Sequence, residues 1–571
     1  MNRFLLLLLI FLFSKSIAQD FSTLKDKKPF DYGGSFSFNQ HSSYRQIGEY
    51  VPYSLFLSGN ANLSIYGIAL PFSFSYSNQQ INYSQPFNFN QFGAQPSYKW
   101  AKAYVGYNSM SFSSYSLNGH QFLGGGIELA PTDLGVKFSA MYGRLVKGVE
   151  WDSTKIGQNP YYKRLGFATK FGYNKDGANY EIGVFRAWDI LNSIPEFPDS
   201  LGLQPKDNMV YTINLSKTFF QKVKVSAEVA ANSLTNDTRQ ENAESIEKGS
   251  AFFLSKRNGT TTFSKAMKGS FNYLGSNYSI GLAYERVDPA YTTLGVYYMN
   301  NDFENVAFTF TNQLLKGKVN IAGSLGLQRN NLDRKKVSSS RNLLNSINIS
   351  FTPNEKMNFS TSYTNQAYYT FFRNPFESIN NLSPYQNLDT LNFTQISQSA
   401  MLNGSFILGS ASDKEISRSI NFNISFQQSN NRQAGNSTLD NSSNYQGSVI
   451  YTHSFNPINL LVNGTLISNY NIISKTDNFL MIGPVIGVSK SFLNKKITSN
   501  CSVSYNLSYR NKNFTGEVLS FRIGGGFSHL KVHRVTLNLS FIYRNNPIEI
   551  ANKKTVDFNG TLSYTYTLSK D

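Results

Sequence analysis

Five histidines are the side chains from which a hydrolytic or metal centre would have to be built: His41, His120, His453, His529 and His533. A nucleophilic serine needs such a base beside it, held by a polar orienting group, and no local signature singles out a serine here. His529 and His533 lack the helix and the glutamate of a zinc-binding His-Glu-x-x-His motif. We therefore predict that the chain is not an enzyme and holds neither a cofactor nor a metal.

Charged side chains within apolar segments indicate a different chemistry, the electrostatic selection of ions. Lys224 and Glu228 share one side of a segment whose other side carries valines. If such segments form the wall of a pore, these charges point into the lumen and bias which ions enter. Alternatively, they pair with one another or with inserted loops. The candidate lumen-facing charges are Lys137, Lys170, Lys224, Glu228, Glu285 and Arg522.

Positioning these charges requires strands, and strict alternation of apolar and polar residues recurs from end to end. Residues 420–427 read Ile-Asn-Phe-Asn-Ile-Ser-Phe-Gln, and residues 503–509 and 535–541 alternate in the same way. A period of two places each set on one face of a strand. The composition agrees, because 46 Phe and 35 Tyr favour strands, while abundant Asn and Ser favour turns or a wet face.

The connections between these segments alternate between short and long. Outer-membrane barrels have short periplasmic turns and long extracellular loops, and their strands need about 9–11 residues to cross. A soluble sandwich gives no reason to sort loop length by strand parity. The predicted short turns are Pro131–Asp133, Lys175–Gly177, Phe220–Lys222, Leu274–Ser276, Pro353–Lys356, Ser410–Lys414, Asn456–Pro457, Leu493–Lys495 and His529–Leu530. The predicted outer loops are Leu145–Tyr162, Asp189–Asp207, Leu234–Gly249, Asp288–Asp302, Phe372–Asn392, Ser429–Ser443, Ile472–Asp477, Asn511–Gly516 and Asn545–Lys554.

The two ends of the chain fit secretion and closure. Arg3, the apolar run from Phe4 to Phe13 and the small residues up to Ala18 have the layout of a cleaved signal peptide. The run is shorter than the roughly 20 apolar residues that a membrane anchor needs. We predict a signal peptide over 1–18, cleaved after Ala18, a short periplasmic segment over 19–32, the barrel over 33–568 and a periplasmic tail over 569–571. A final strand, Val556–Leu568, would pair with Gly33–Ser42 and close the sheet.

These features together resemble the large outer-membrane β-barrel proteins of Gram-negative bacteria. The resemblance is architectural, covers residues 33–568 and implies an all-β, single closed antiparallel barrel of roughly 24–26 strands. The regions 78–115 and 250–273 leave the count open. Alternation begins too early for the N-terminal plug domain of TonB-dependent receptors. The resemblance also implies a Sec-exported protein of the outer membrane that needs the barrel-assembly machinery during biogenesis.

The formal net charge is +18, and removal of the signal peptide leaves 51 basic against 35 acidic residues. Outer-loop cations are candidates for binding lipopolysaccharide phosphates, although ordinary solvated loops explain them equally well. We predict no nucleic-acid partner. The candidate lipopolysaccharide-contacting residues are Lys155, Lys163, Arg164, Arg334, Lys335 and Lys336.

A barrel of this size with no plug domain needs something else to occlude its lumen. Barrels of 16–18 strands already leave an aqueous channel. We expect inward-folded loops such as Asn78–Lys99, Asp189–Asp207 or Phe372–Asn392, or a surface or periplasmic protein, to occupy this lumen. The first hypothesis for function is a channel or transport pore for hydrophilic or anionic solutes. The alternative is a scaffold or translocon component that anchors or exports a cell-surface protein. A soluble adhesin is a third and weaker reading.

Overall fold

A computed structural model describes most of the chain, and all structural statements refer to this part. The described residues are 29–46, 51–78, 90–131, 133–152, 160–195, 197–198, 201–240, 258–335, 341–365, 368–369, 395–409, 415–429, 442–473, 477–530, 532–547 and 553–568. The predicted signal peptide, its cleavage site and the C-terminal tail lie outside this part.

All described strands join one antiparallel sheet. The first half comprises β1 (Phe30–Arg45), β2 (Tyr53–Ile65), β3 (Ile68–Ser77), β4 (Gln91–Ala94), β5 (Ser97–Tyr98), β6 (Ala101–Ser111), β7 (Asn118–Leu129), β8 (Val136–Val146), β9 (Arg164–Lys175), β10 (Ala178–Asp189), β11 (Asp207–Phe219), β12 (Val223–Thr235), β13 (Thr261–Leu274) and β14 (Tyr278–Val287). The second half comprises β15 (Phe303–Leu314), β16 (Val319–Asn330), β17 (Arg341–Asn354), β18 (Met357–Asn365), β19 (Tyr368–Tyr369), β20 (Gln395–Leu408), β21 (Ile416–Ser429), β22 (Ser442–Phe455), β23 (Leu460–Ile472), β24 (Asn478–Phe492), β25 (Ile497–Arg510), β26 (Asn513–His529), β27 (His533–Asn545) and β28 (Lys554–Leu568). Short 3-10 turns lie at Leu191–Ser193, Leu315–Gly317 and Asn456–Ile458.

These strands occupy 26 positions around a closed barrel. β4 and β5 share one position, because both pair with β3 and β6. β18 and β19 share another, because both pair with β20. The prediction of a single closed antiparallel barrel of roughly 24–26 strands is confirmed.

The first and last strands close the sheet. They pair in register from Gly34 opposite Leu568 to Arg45 opposite Asp557. The first strand begins at Phe30, three residues before the predicted Gly33, and it also pairs with β2 along its length. The backbone groups of β1 therefore have partners on both sides, which a bilayer requires.

Alternation sorts the side chains onto two faces. One cross-strand row on β24 to β28 is Ile486, Val503, Phe521, Phe541 and Phe558. Each of these side chains is at least 41% exposed, on a face that is apolar around the barrel. In a membrane barrel the apolar face is outward and meets the acyl chains, and the polar face is inward.

One predicted loop is wrong. The sequence predicts a longer outer loop over Asn511–Gly516, yet β25 ends at Arg510 and β26 begins at Asn513. Asn511 and Lys512 alone form the turn, with positive φ values of 51° and 67°. Because Asn513 and Thr515 are polar, the sequence pattern indicates a loop here. The strand β26 nevertheless continues past the apolar band into the outer end of the barrel. A register shift at Ser508 and Tyr509 accommodates this extension.

A run of three glycines, 124–126, lies within β7. A Cβ on Gly124 would stand 2.1 Å from the carbonyl oxygen of Tyr142 on β8, so the neighbouring backbone excludes any side chain there. A close approach of the two backbones therefore explains the glycine at this residue. The second run, at 524–526, also lies within a strand, β26.

The assignment of faces predicts opposite effects at neighbouring positions of β28. We expect Leu562→Arg, on the outward face, to destabilise the folded barrel by about 2–4 kcal/mol, because it places a charge in the apolar region. Ser563→Arg is the matched control on the inward face and should cost little. Urea titration of folding into lipid vesicles measures both. Equal destabilisation by the two substitutions would contradict the assignment.

Candidate functional site

Two outer connections fold against the inward face of one side of the barrel. These are residues 112–117, between β6 and β7, and residues 288–302, between β14 and β15. Their apolar side chains Tyr115, Leu117, Tyr291 and Leu294 are buried in a cluster with strand residues such as Phe185. We call these two segments the inner loops, and the inward face of β6–β14 beneath them the filled wall.

Hydrogen bonds to backbone carbonyl oxygens hold the inner loops to each other. The Tyr291 hydroxyl donates to the carbonyl oxygen of Tyr115 over 2.7 Å, and the Thr293 hydroxyl donates to that of Ser116 over 2.9 Å. The Asn118 amide donates to the Gly295 carbonyl at 3.2 Å. A Cβ on Gly295 would stand 2.4 Å from the Ser116 carbonyl oxygen, so the approach requires glycine.

Two fully buried amides anchor residues 288–302 to the strands. Asn208 on β11 donates to the side-chain oxygen of Asn232 on β12 over 2.6 Å. In turn, Asn208 accepts from the Leu294 amide at 3.0 Å, and Asn232 donates to the Thr292 carbonyl at 3.1 Å. Such buried amides stabilise a structure only when they are bonded, so they fix the position of this loop.

A charged cluster fixes the other inner loop, and it includes two of the predicted residues. The Glu228 carboxylate, almost fully buried, lies 2.9 Å from Lys268 and accepts hydrogen bonds from Ser113 and Ser114. Glu285 accepts from the Tyr115 hydroxyl at 2.7 Å. The two carboxylates therefore bind the loop 112–117. At these two residues the structure thus shows pairing with an inserted loop, which was the alternative to a role in ion selection.

Burial, followed by the nearby Glu285 carboxylate, raises the pKa of the Tyr115 hydroxyl well above its usual value. Burial likewise raises the pKa of Tyr291. Both phenols therefore remain protonated donors at neutral pH, which keeps both hydrogen bonds in place.

Sequence reasoning missed Lys268, the counter-ion of Glu228. It lies between Met267 and Gly269 on β13, and its ammonium also stands 5.3 Å above the Tyr115 ring. The same alternation that marked Lys137 and Lys170 applies to Lys268, so the signal was present. Which carboxylate it meets depends on the pairing of β12 with β13, where Glu228 stands opposite Lys268.

The remaining predicted charges make no ion pair with Glu228 or Glu285 among the described contacts, although the Lys170 ammonium lies 5.9 Å from the centre of the Phe112 ring of the same loop. Lys170 on β9 is 3.8 Å from Glu181 on β10. Lys137 lies on β8 and Lys224 on β12, on the same inward face. Arg522 lies on β26, away from the filled wall.

The loop cations predicted to contact lipopolysaccharide are dispersed. Arg164 makes a two-pronged ion pair with Asp189, at 2.8 and 3.1 Å, so its guanidinium is engaged within the protein. Lys335 is largely exposed and lies 3.7 Å from Asp333. Lys163 and Arg334 also belong to outer connections, while Lys155 and Lys336 lie outside the described residues. Lipopolysaccharide contact stays a prediction.

The loops expected to fill the lumen are not the ones seen to fold inward. In Asp189–Asp207, the Ser193 hydroxyl accepts from the amide of Lys163, in the neighbouring outer loop. Asn78–Lys99 contains β4 and β5, which complete the wall itself. Phe372–Asn392 lies outside the described residues. The shorter segment 112–117 offered no sequence signal, because its contacts are with distant strands.

The inward face of β16–β28 and β1–β3 has a different character, and we call it the polar wall. Ser, Asn and Thr dominate it, and cross-strand bonds such as Asn403 to Ser360, at 3.3 Å, link them. A cavity of about 420 Å³ opens on this wall and reaches Thr311 on the adjacent β15; its lining on the wall includes Asn320, Asn348, Ser362 and Asn403.

Arginines supply cations on the polar wall. Arg522 and Arg534 lie on the inward face of β26 and β27. At the outer end, Asp557 forms ion pairs with Arg544 and, at 3.9 Å, with Arg45. The polar wall therefore combines uncharged hydrogen-bonding groups with a positive bias.

The described residues include no helix with the length and apolar character needed to cross a membrane. They also bring together no group of three His, Cys, Asp or Glu side chains that could hold a metal ion. The fold and its two walls define a large barrel of the outer-membrane type.

Comparison with known proteins finds similarity in three-dimensional structure. No protein-family profile matches the chain, and no curated protein matches it in sequence. The P pilus usher PapC translocation pore is similar with a TM-score of 0.37 and 10% identity, over 94% of this chain and 100% of that one. The FrpB iron transporter (F3-3 variant) of Neisseria meningitidis has a TM-score of 0.39 and 10% identity, over 96% of this chain and 83% of the transporter chain. An anion-selective porin from Comamonas acidovorans has a TM-score of 0.26 and 10% identity, over 63% of this chain and 100% of the porin chain.

The close contact at Gly295 predicts that a side chain there releases the inner loops. Gly295→Val would force the valine against the Ser116 carbonyl and the Phe185 ring. We expect faster protease cleavage within residues 112–117 and 288–302 while the barrel stays folded, as judged by heat-modifiable migration on gels. Gly259→Val is the control, because a Cβ at Gly259 meets nothing within 4 Å. Unchanged cleavage in Gly295→Val would contradict the packing described.

Proposed function

We propose that the barrel is a pore for hydrophilic solutes, with a preference for anions, and that solutes move along the polar wall. The observation that carries this proposal is the unequal division of the inward face. Buried apolar side chains and paired charges occupy the filled wall, whereas hydroxyl and amide groups cover the polar wall. Such groups replace part of the hydration of a passing solute without holding it tightly.

The size of the barrel makes the inner loops part of this function. Strands spaced about 4.8 Å apart and tilted by about 40° give 26 positions a circumference of about 160 Å. An open lumen of that size would leak. The inner loops narrow it from one side. The attachment of residues 112–117 to Glu228 and Glu285, and of residues 288–302 to Asn208 and Asn232, keeps them from blocking the polar wall.

The anion preference is assigned to arginines of the polar wall. On the filled wall, Lys170 and Lys268 are paired with Glu181 and Glu228, so their fields largely cancel. The predicted cations Lys137, Lys224 and Arg522 also lie on the inward face, and Arg522 is the one on the polar wall. A positive group among the hydroxyl and amide groups of this wall raises the local concentration of anions.

Planar-bilayer recording of the purified barrel tests the proposal. We expect conductance, with a reversal potential in a salt gradient that indicates anion preference, and Arg522→Ser should reduce that preference. Lys490→Ser is the matched control, because Lys490 lies on the outward face of β24 and its removal takes away the same charge. Absence of any conductance would reject the pore. A conducting pore whose selectivity responds equally to the two substitutions would reject the role of Arg522.

A second function, a translocon or scaffold for a surface protein, is favoured by the width of the barrel. A circumference of about 160 Å exceeds what small solutes need, and a wall lined mainly by hydroxyl and amide groups holds a passing chain only weakly. For this function we expect a stoichiometric protein partner after gentle detergent extraction, pull-down and mass spectrometry. Recovery of the barrel alone would count against it.

A further inference from the structure

Four of the short turns share an unusual sequence pattern, in which a large apolar residue stands at the tip and a lysine follows. The sequences are Phe-Phe-Gln-Lys-Val at 219–223, Leu-Leu-Lys-Gly-Lys-Val at 314–319, Phe-Leu-Asn-Lys-Lys-Ile at 492–497 and His-Leu-Lys-Val-His at 529–533. The four tip residues are Phe220, Leu315, Leu493 and Leu530. They are 90%, 67%, 68% and 71% exposed, respectively.

The backbone of these turns does not explain the apolar tips. The four residues have φ between 49° and 53°, the left-handed region that bulky side chains rarely adopt. Tight hairpin turns of this shape prefer Asn or Asp followed by Gly. The turn Asp176-Gly177, at the same end of the barrel, has that composition and φ values of 52° and 72°. Apolar side chains therefore occupy the tips although the turn conformation favours Asn, Asp or Gly.

The position of the tips indicates what they contact. They join β11 to β12, β15 to β16, β24 to β25 and β26 to β27, so they are spread around much of the circumference. A single protein partner would contact one arc of this rim, whereas a membrane surrounds the whole barrel. The outward-facing residues that precede three tips, Phe219, Leu314 and Phe492, are also exposed, so the apolar surface continues to the tips.

The lysines complement this surface. Lys222, Lys318, Lys495 and Lys496 follow three of the tips, and none of the four turns contains Asp or Glu. An apolar side chain beside a lysine suits the border of a bilayer, where the former enters the acyl boundary and the latter binds an anionic headgroup.

We propose that Phe220, Leu315, Leu493 and Leu530 insert into the headgroup region of the inner leaflet, and that the lysines beside them bind lipid phosphates. These turns then fix the depth and tilt of the barrel from its periplasmic end. The proposal is independent of what passes through the lumen.

Fluorescence quenching in vesicles tests this placement. The three native tryptophans are first removed as Trp100→Phe, Trp151→Phe and Trp188→Phe. Leu493→Trp and Leu530→Trp then report on two tips, and Asp176→Trp is the control at the same end. In phosphatidylethanolamine–phosphatidylglycerol vesicles with brominated acyl chains, we expect about twofold or stronger quenching at 493 and 530 than at 176.

The outcomes separate the alternatives. Equal quenching at all three positions, in variants that still show heat-modifiable migration, overturns the insertion. A tip that is unquenched in vesicles but becomes shielded when periplasmic extract is added identifies a protein partner instead, and also overturns it. Lys495→Gln with Lys496→Gln should weaken quenching at 493 only when phosphatidylglycerol is present. No dependence on the anionic lipid would overturn the contact between these lysines and anionic headgroups.

Discussion

The structure depends on one constraint: every backbone amide and carbonyl inside a bilayer needs a partner within the protein. An open sheet of this length would leave two unpaired edges in the acyl region. Pairing of Gly34–Arg45 with Asp557–Leu568 removes both edges at once. The even number of strand positions follows, because two antiparallel terminal strands that pair must run in opposite directions.

Closure over 26 positions creates a second problem, the filling of a wide lumen. The chain fills one side with two short outer connections and leaves the other side lined with hydroxyl and amide groups. Burying Tyr115, Tyr291 and Leu294 against the filled wall is favourable in itself. Because the loop backbone cannot enter an apolar core unbonded, Asn208, Asn232 and Glu228 supply the partners that it requires.

This arrangement changes the meaning of the charges on the strands. Glu228 and Glu285 lie on the inward face, but they hold a loop in place, and their fields act on Lys268 and Tyr115 at close range. Arg522 lies on the wall without such a loop. Charged residues that share the inward face therefore lie in different surroundings, which are set by what packs against them.

The sequence by itself determined the strands, the two faces, the closing pair and most of the turns. These properties depend on a period of two and on local turn residues, which are visible within ten consecutive positions. Even so, Asn511–Gly516 was mistaken for a loop, since a strand that continues into water loses its apolar alternation. Tertiary structure alone decided the contents of the lumen. Ser113 and Glu228 are 115 residues apart, and their contact depends on how far the wall curves between β6 and β12. That curvature is set by all the strands together, so neither residue carries a local sign of its partner.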